Sequence, residues 1–253
     1  MNSLWGHNGF LPNLISMIKY FASSGLDFLA PYKCISCNAI SMENNALCSI
    51  CWSKHIFIEE PLCKRCGIAF EIDIGDEALL CPRCANDSTG YDVARSIFKY
   101  NEGSKSIIFK FKYGDQTHLA NFFAKMFMVK YRDLIMSADI ITCVPMHKLK
   151  RIFRLYNQSQ VIAKSLSNNA KIQFLPNLII KKSYTKSQSS LSREKRKTNL
   201  KDNFLVTAKL ANKVILILDD VESTGSTLKE CSLALKKAGA ETVVALSIAK
   251  NYW

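Results

Sequence analysis

Two groups of residues in this 253-residue chain have the types and spacing to do chemistry. The first is a set of eight cysteines in four C-x-x-C pairs. They are Cys34 with Cys37, Cys48 with Cys51, Cys63 with Cys66, and Cys81 with Cys84, separated by gaps of 10, 11 and 14 residues. A C-x-x-C turn aims two sulfurs at one point, and two such turns complete a tetrahedral thiolate cage for zinc. Four turns therefore predict two structural Zn2+ ions. Sequential use would give Cys34, Cys37, Cys48 and Cys51 to one ion and Cys63, Cys66, Cys81 and Cys84 to the other. A cross-braced arrangement would interleave the pairs. The gaps are long enough for ribbon hairpins, which favours the sequential order, and Gly67 suits the tight turn after Cys66. Disulfides would need an oxidising compartment, and no secretory signal is visible. One redox-active pair would not account for four.

The second group lies in Val214–Thr227. Five apolar residues, Val214 to Leu218, run into Asp219 and Asp220, as a buried parallel strand would. Ser223, Thr224, Gly225, Ser226 and Thr227 are all small. An amphipathic stretch follows, with Leu228, Cys231, Leu235 and Ala238 at helical spacing. Strand, small-residue loop and helix in that order suit a phosphate, wrapped by backbone N–H groups and favoured by the helix N-terminus. Paired acids closing a strand are costly without a partner. They suit ribose hydroxyls, or a metal bound to a ribose.

Other elements must carry these groups. Asp139–Met146 reads as a second buried strand leading into a basic loop of Lys148, Lys150, Arg151 and Arg154. Val243–Ala249 reads as a last strand, and further strands are expected near 94–100 and 179. Ser104–Tyr113, His118–Met136 and a stretch from Asn157 to about Ser167 are helical by pattern. The turn-rich Asn86–Asp92 marks a domain boundary. The expected organisation is an N-terminal amphipathic helix over 1–30, a cysteine module over 31–90, and an α/β domain over 91–253 with a parallel sheet and helices on both faces. Cys143 and Cys231 fall inside a strand and a helix and read as core.

Charge divides the chain. Residues 1–95 hold 7 Lys/Arg against 10 Asp/Glu, and residues 96–253 hold 27 against 11. The basic half suits a polyphosphate or a nucleic acid. The cysteine module is acidic, more so with zinc bound as thiolates, and its acids at 71, 73, 76 and 77 would repel a phosphate backbone. It reads as structural or protein-binding. No run of about 18 uncharged apolar residues exists, so no membrane span is expected. The segment 10–30 lacks a basic n-region and a cleavage site, which predicts a cytoplasmic protein.

The motif Asp219-Asp220-Val221-x-Ser223-Thr224-Gly225-x-Thr227 resembles the phosphoribosyl-pyrophosphate (PRPP) motif of type I phosphoribosyltransferases. The resemblance implies that Asp219 and Asp220 contact the ribose hydroxyls and serve catalysis, while Ser223–Thr227 hold the 5′-phosphate. Val144-Pro145-Met146-His147, a basic cluster, and Arg154-x-Tyr156-Asn157-Gln158 resemble a segment of the ComF family. Lys112-Tyr113-Gly114-Asp115 and Thr185-x-x-Gln188-x-x-Leu191, with Arg196, Asn199 and Phe204, are similar too. Members of that family join an N-terminal C-x-x-C zinc module to a phosphoribosyltransferase-like domain and are linked to bacterial competence and DNA uptake.

By that resemblance, Val144, Pro145, Met146, His147 and Lys148 form the pyrophosphate loop. Lys181–Lys201, with eight basic residues and one acid, is similar to the flexible loop that closes over PRPP, and Arg193, Lys195 and Arg196 are its candidate contacts. Mg2+ is implied as the companion of PRPP. The implied activity is pentosyl transfer, in which a nucleophile attacks the anomeric carbon and displaces pyrophosphate. Two alternatives stay open. One is a non-catalytic adaptor for DNA uptake, binding single-stranded DNA and a competence partner protein. The other is a regulator that senses PRPP without turnover.

Overall fold

The computed structural model describes residues 31–72, 75, 79–87, 89–114, 117–146, 156–181 and 203–252. The helix expected within 1–30 lies outside them. So do His147, Lys148, Arg193, Lys195 and Arg196. By internal packing the chain divides into Met1–Trp52 and Ser53–Trp253.

The first unit contains the opening pairs of cysteines and runs into a short helix, α1 (Ser49–Lys54). The second begins with the other cysteine pairs and the one-turn helix α2 (Pro82–Asn86). An α/β array follows: β1 (Val93–Lys99), α3 (Glu102–Tyr113), α4 (Leu119–Met136), β2 (Ile140–Cys143), α5 (Gln158–Ala170), β3 (Gln173–Phe174), β4 (Ile179–Lys181), β5 (Phe204–Val206), β6 (Lys213–Glu222), α6 (Ser226–Lys237) and β7 (Ala240–Lys250).

Five strands form one parallel sheet in the order β1-β7-β6-β2-β3. The expected strand near 179 exists but does not join it. β4 pairs antiparallel with β5 in a separate two-stranded ribbon. Its residues Ile179, Ile180 and Lys181 are buried, exposed and half-buried in turn, so its two faces are unequally covered. The central strands are covered on both faces. Along β6, Ile215 and Ile217 pack with Leu228 and Leu235 of α6, and with Val243 and Ala245 of β7. The intervening Leu216 and Leu218 are equally buried, and successive side chains of a strand point to opposite faces. That double burial explains the unbroken apolar run that marks this strand in the sequence.

Connectivity sets the site. From β2 the sheet continues to β3 on one side, and from β6 it continues to β7 on the other. The chain order therefore reverses between β2 and β6, and a crevice opens there at the strands' carboxyl ends. Register is tight at that point, with Cys143 opposite Leu218 and the Val144 N–H donating to the Leu218 carbonyl at 2.9 Å.

Candidate functional site

β6 does not end at the acids. Its ladder with β7 continues past them, pairing Asp219 with Ser247, Val221 with Ala249 and Glu222 with Lys250. The loop is consequently shorter than the small-residue run suggests. Ser223, Thr224 and Gly225 connect the strand to α6, whose first turn already contains Ser226 and Thr227. Gly225 makes the corner at φ +72, and a Cβ there would lie 3.0 Å from Glu222 Oε1. Both the conformation and the space call for glycine.

The two acids differ in surroundings. Asp220 Oδ2 is 2.8 Å from Lys112 Nζ, and its Oδ1 accepts from the Val221 N–H at 2.7 Å. Asp219 Oδ1 accepts from the Asp220 N–H at 2.8 Å and from the Ser159 hydroxyl at 3.3 Å. Burial and then the neighbouring Asp220 carboxylate push the Asp219 carboxyl up to about 8, against the pull of the Asp220 N–H, Lys112 and Ser159. Among the described residues, the Lys112 ammonium forms its ion pair with Asp220 and not with Asp219. Two hard carboxylate oxygen donors in this state fit Mg2+ or the hydroxyls of a sugar.

A cavity of about 460 Å³ opens over this pair. Val144, Pro145 and Met146 line it from the end of β2, and Asp219, Ser223 and Thr227 from the β6–α6 corner. The described part of the predicted pyrophosphate loop therefore faces the acids. Lys181 lines it as well.

Tyr156, Asn157 and Gln158 hold the parts together. The Tyr156 hydroxyl donates to the Phe111 carbonyl at 2.6 Å. The Gln158 amide donates to the Lys112 carbonyl at 3.3 Å. Asn157 stands at the N-cap of α5, yet its side chain makes no capping bond and donates to the Val144 carbonyl at 3.1 Å instead. These three residues tie the end of α3, which carries Lys112, to the end of β2. The sequence marks them as a motif without disclosing that task. Lys112 escapes sequence reasoning as a site residue because its partner, Asp220, is far away in the chain.

The eight paired cysteines gather into two clusters in sequential order, Cys34/Cys37/Cys48/Cys51 and Cys63/Cys66/Cys81/Cys84, with all four ligand atoms of each within 4.8 Å of one another. Zinc–sulfur bonds of about 2.3 Å in a tetrahedron require sulfurs ~3.8 Å apart. Cys37 and Cys48 approach to 3.7 Å, and Cys66 and Cys81 to 3.6 Å. The Cys63 thiol is held down to about 4, chiefly by its bond with the Cys66 thiol, which is itself pushed up by that bond. Such crowding asks for a cation, and the donor set fits Zn2+. Cys143 and Cys231 stand apart and buried in the core, and burial raises the Cys231 thiol well above its usual range.

Comparison with known proteins agrees with both halves. Residues 25–87 match a double zinc ribbon domain, and residues 156–251 match a phosphoribosyl transferase domain. Competence protein F of Haemophilus influenzae is 27% identical over 228 residues, covering 87% of this chain and 97% of the relative. The DNA utilization protein YhgH of Escherichia coli K12 is 25% identical over 202 residues, covering 78% of this chain and 87% of the relative. Competence protein ComFC of Streptococcus pneumoniae is 23% identical over 211 residues, covering 82% and 89%. With two four-cysteine ribbons ahead of a parallel-sheet phosphoribosyltransferase domain, and relatives of this kind along most of its length, the chain belongs to the ComF family.

Proposed function

We propose that this protein binds PRPP at the β6–α6 corner and transfers its phosphoribosyl group. The supporting observation is the crevice between β2 and β6, where the Asp219–Asp220 pair stands beside a three-residue loop and a helix N-terminus. In this reading Asp219 and Asp220 hold the ribose hydroxyls, and Ser223–Thr227 take the 5′-phosphate. Val144, Pro145 and Met146, continued by His147 and Lys148, take the pyrophosphate. Asp219 and Asp220 would also hold an Mg2+ ion, which would supply charge neutralisation for the departing diphosphate. The acceptor's nucleophile forms a bond to the anomeric carbon as the bond to pyrophosphate breaks, and pyrophosphate leaves with the electron pair. The Asp219 and Asp220 carboxylates stabilise positive charge that develops on the ring. Arg193, Lys195 and Arg196 would close over the diphosphate and exclude water.

Relatives named for competence and DNA utilization support a role in competence and the use of DNA. They also favour a second reading, a non-catalytic adaptor that binds single-stranded DNA on the basic half and a competence partner through the ribbons. Calorimetry separates the two. The first reading expects PRPP with Mg2+ to bind the parent protein and to fail with Asp219→Asn/Asp220→Asn. Absence of PRPP binding by the parent, with single-stranded DNA bound on a steep salt slope that the acid substitutions leave unchanged, would transfer the conclusion to the adaptor.

A further inference from the structure

Arg83 lies between two metal ligands, in Cys81-Pro82-Arg83-Cys84, yet its guanidinium reaches out of the ribbon. Its Nη2 donates to the carbonyl of Thr224 at 2.9 Å. That carbonyl belongs to the three-residue corner between β6 and α6. In a trans peptide the C=O and the following N–H point in opposite directions. A donor that fixes the Thr224 carbonyl therefore fixes the direction of the Gly225 N–H, away from the ribbon. The fit is close, since a Cβ on Gly225 would lie 3.3 Å from Arg83 Nη2.

Ribbon architecture does not itself require the arginine. In the first ribbon the same slot, in Cys48-Ser49-Ile50-Cys51, holds Ile50, which is 66% exposed. A second brace runs beneath the corner. Lys250 Nζ and Glu222 Oε1 are 2.7 Å apart with both side chains 2% exposed, and the Tyr91 hydroxyl donates to the same Glu222 oxygen at 3.4 Å. Tyr91 belongs to the buried cluster that contains Cys63, Cys66, Cys81 and Cys84.

We infer that Arg83 is a positioning residue for the Ser223–Gly225 corner, so that the second zinc ribbon holds the anion-binding loop in its working shape. The inference deepens the PRPP reading and rests on it for the identity of the anion. Zinc enters by fixing the turn that carries Arg83. By linkage, a phosphate ligand on the corner should tighten zinc binding at the second cluster and not at the first.

The test uses full-length, zinc-replete protein, with Arg83→Ala and the conservative Arg83→Lys. Amide exchange of residues 223–227 is followed without ligand, and ribose 5-phosphate affinity is measured separately. Losing a charge-assisted hydrogen bond should speed corner exchange about 3- to 10-fold in Arg83→Ala, with Arg83→Lys in between. Both variants should keep two zinc ions, and ribose 5-phosphate should bind the alanine variant several-fold more weakly. Unchanged corner exchange in Arg83→Ala would overturn the inference. So would loss of zinc with faster exchange throughout the ribbon, since Arg83 would then serve the ribbon and not the loop. If exchange responds as expected but ribose 5-phosphate fails to bind even the parent protein, the brace stands and the PRPP reading falls.

Discussion

Cys34 and Cys63 head two knuckles of the same build. The Cys34 N–H donates to the Ala39 carbonyl at 2.7 Å, and the Cys63 N–H to the Ile68 carbonyl at 2.8 Å. Asn38 and Gly67 follow the second cysteine with φ of 63 and 66, closing the turn in the left-handed region. Their surroundings differ. In the first ribbon Cys37 is exposed and Cys48 half-buried, and Ile40, Met42 and Ile50 are open to solvent. In the second all four cysteines are buried, in one cluster with Ile215, Leu228 and Leu235 of the phosphoribosyltransferase core. Further bonds stitch it in. The Ala94 N–H donates to the Arg65 carbonyl at 2.6 Å, and the Ala69 N–H to the Tyr252 hydroxyl at 3.0 Å. In its second copy the repeated motif has thus become structural core.

The largest expected effect comes from taking a ligand out of each cluster. Cys66→Ser should lower the main thermal transition by ~10 °C or more, since structural zinc contributes folding free energy outright. Cys37→Ser should move that transition by only about 2 °C while losing one zinc. Equal shifts in a melting experiment would erase the distinction between the ribbons. Next is the buried ion pair below the corner. Lys250→Met strands Glu222 and should cost about 3–5 kcal/mol in urea unfolding. Adding Glu222→Gln should recover most of that cost. No recovery would mean that Lys250 acts chiefly through packing or through the nearby sulfurs.

The knuckle residue offers an exchange between copies. A Cβ on Gly67 would meet the Ala94 carbonyl oxygen at 2.5 Å. Gly67→Asn, which imports the residue of the first ribbon, should therefore destabilise by about 2–3 kcal/mol, while Asn38→Gly should stay within ~0.5 kcal/mol of neutral. Asp219 gives the smallest effect, with a pH signature. Its carboxyl titrates near 8 in the fold and near 3.9 when unfolded, so the folded chain holds the extra proton between those values. Stability should fall as pH rises across that window, and the loss is complete above the folded value. Asp219→Asn removes this dependence. From pH 5 to 8.5 the parent should lose about 1–2 kcal/mol more than the variant in chemical unfolding.

Regular patterns make much of this legible in the sequence. Period and spacing announce β6, β2 and β7, the four C-x-x-C turns and the acid pair, because each follows from contacts close in the chain or from continuous burial. Contacts between distant segments are another matter. Nothing local to Lys112 points to Asp220, and nothing in Cys81-Pro82-Arg83-Cys84 points to Thr224. Nothing local to Lys250 points to Glu222, yet β7 carries it into the core against that carboxylate. Ile179–Lys181 satisfies the strand pattern, but only the fold decides which sheet a three-residue strand joins.

The central claim is that ligand chemistry belongs to the β6–α6 corner and reaches the second ribbon but not the first. Amide-exchange footprinting of the full-length protein with PRPP and Mg2+ tests it most directly. The expected result is protection over Asp219–Thr227 and around Val144, weaker protection around Arg83, and none over Cys34–Cys51. Protection centred on Cys34–Cys51, or none anywhere at saturating PRPP, would contradict it.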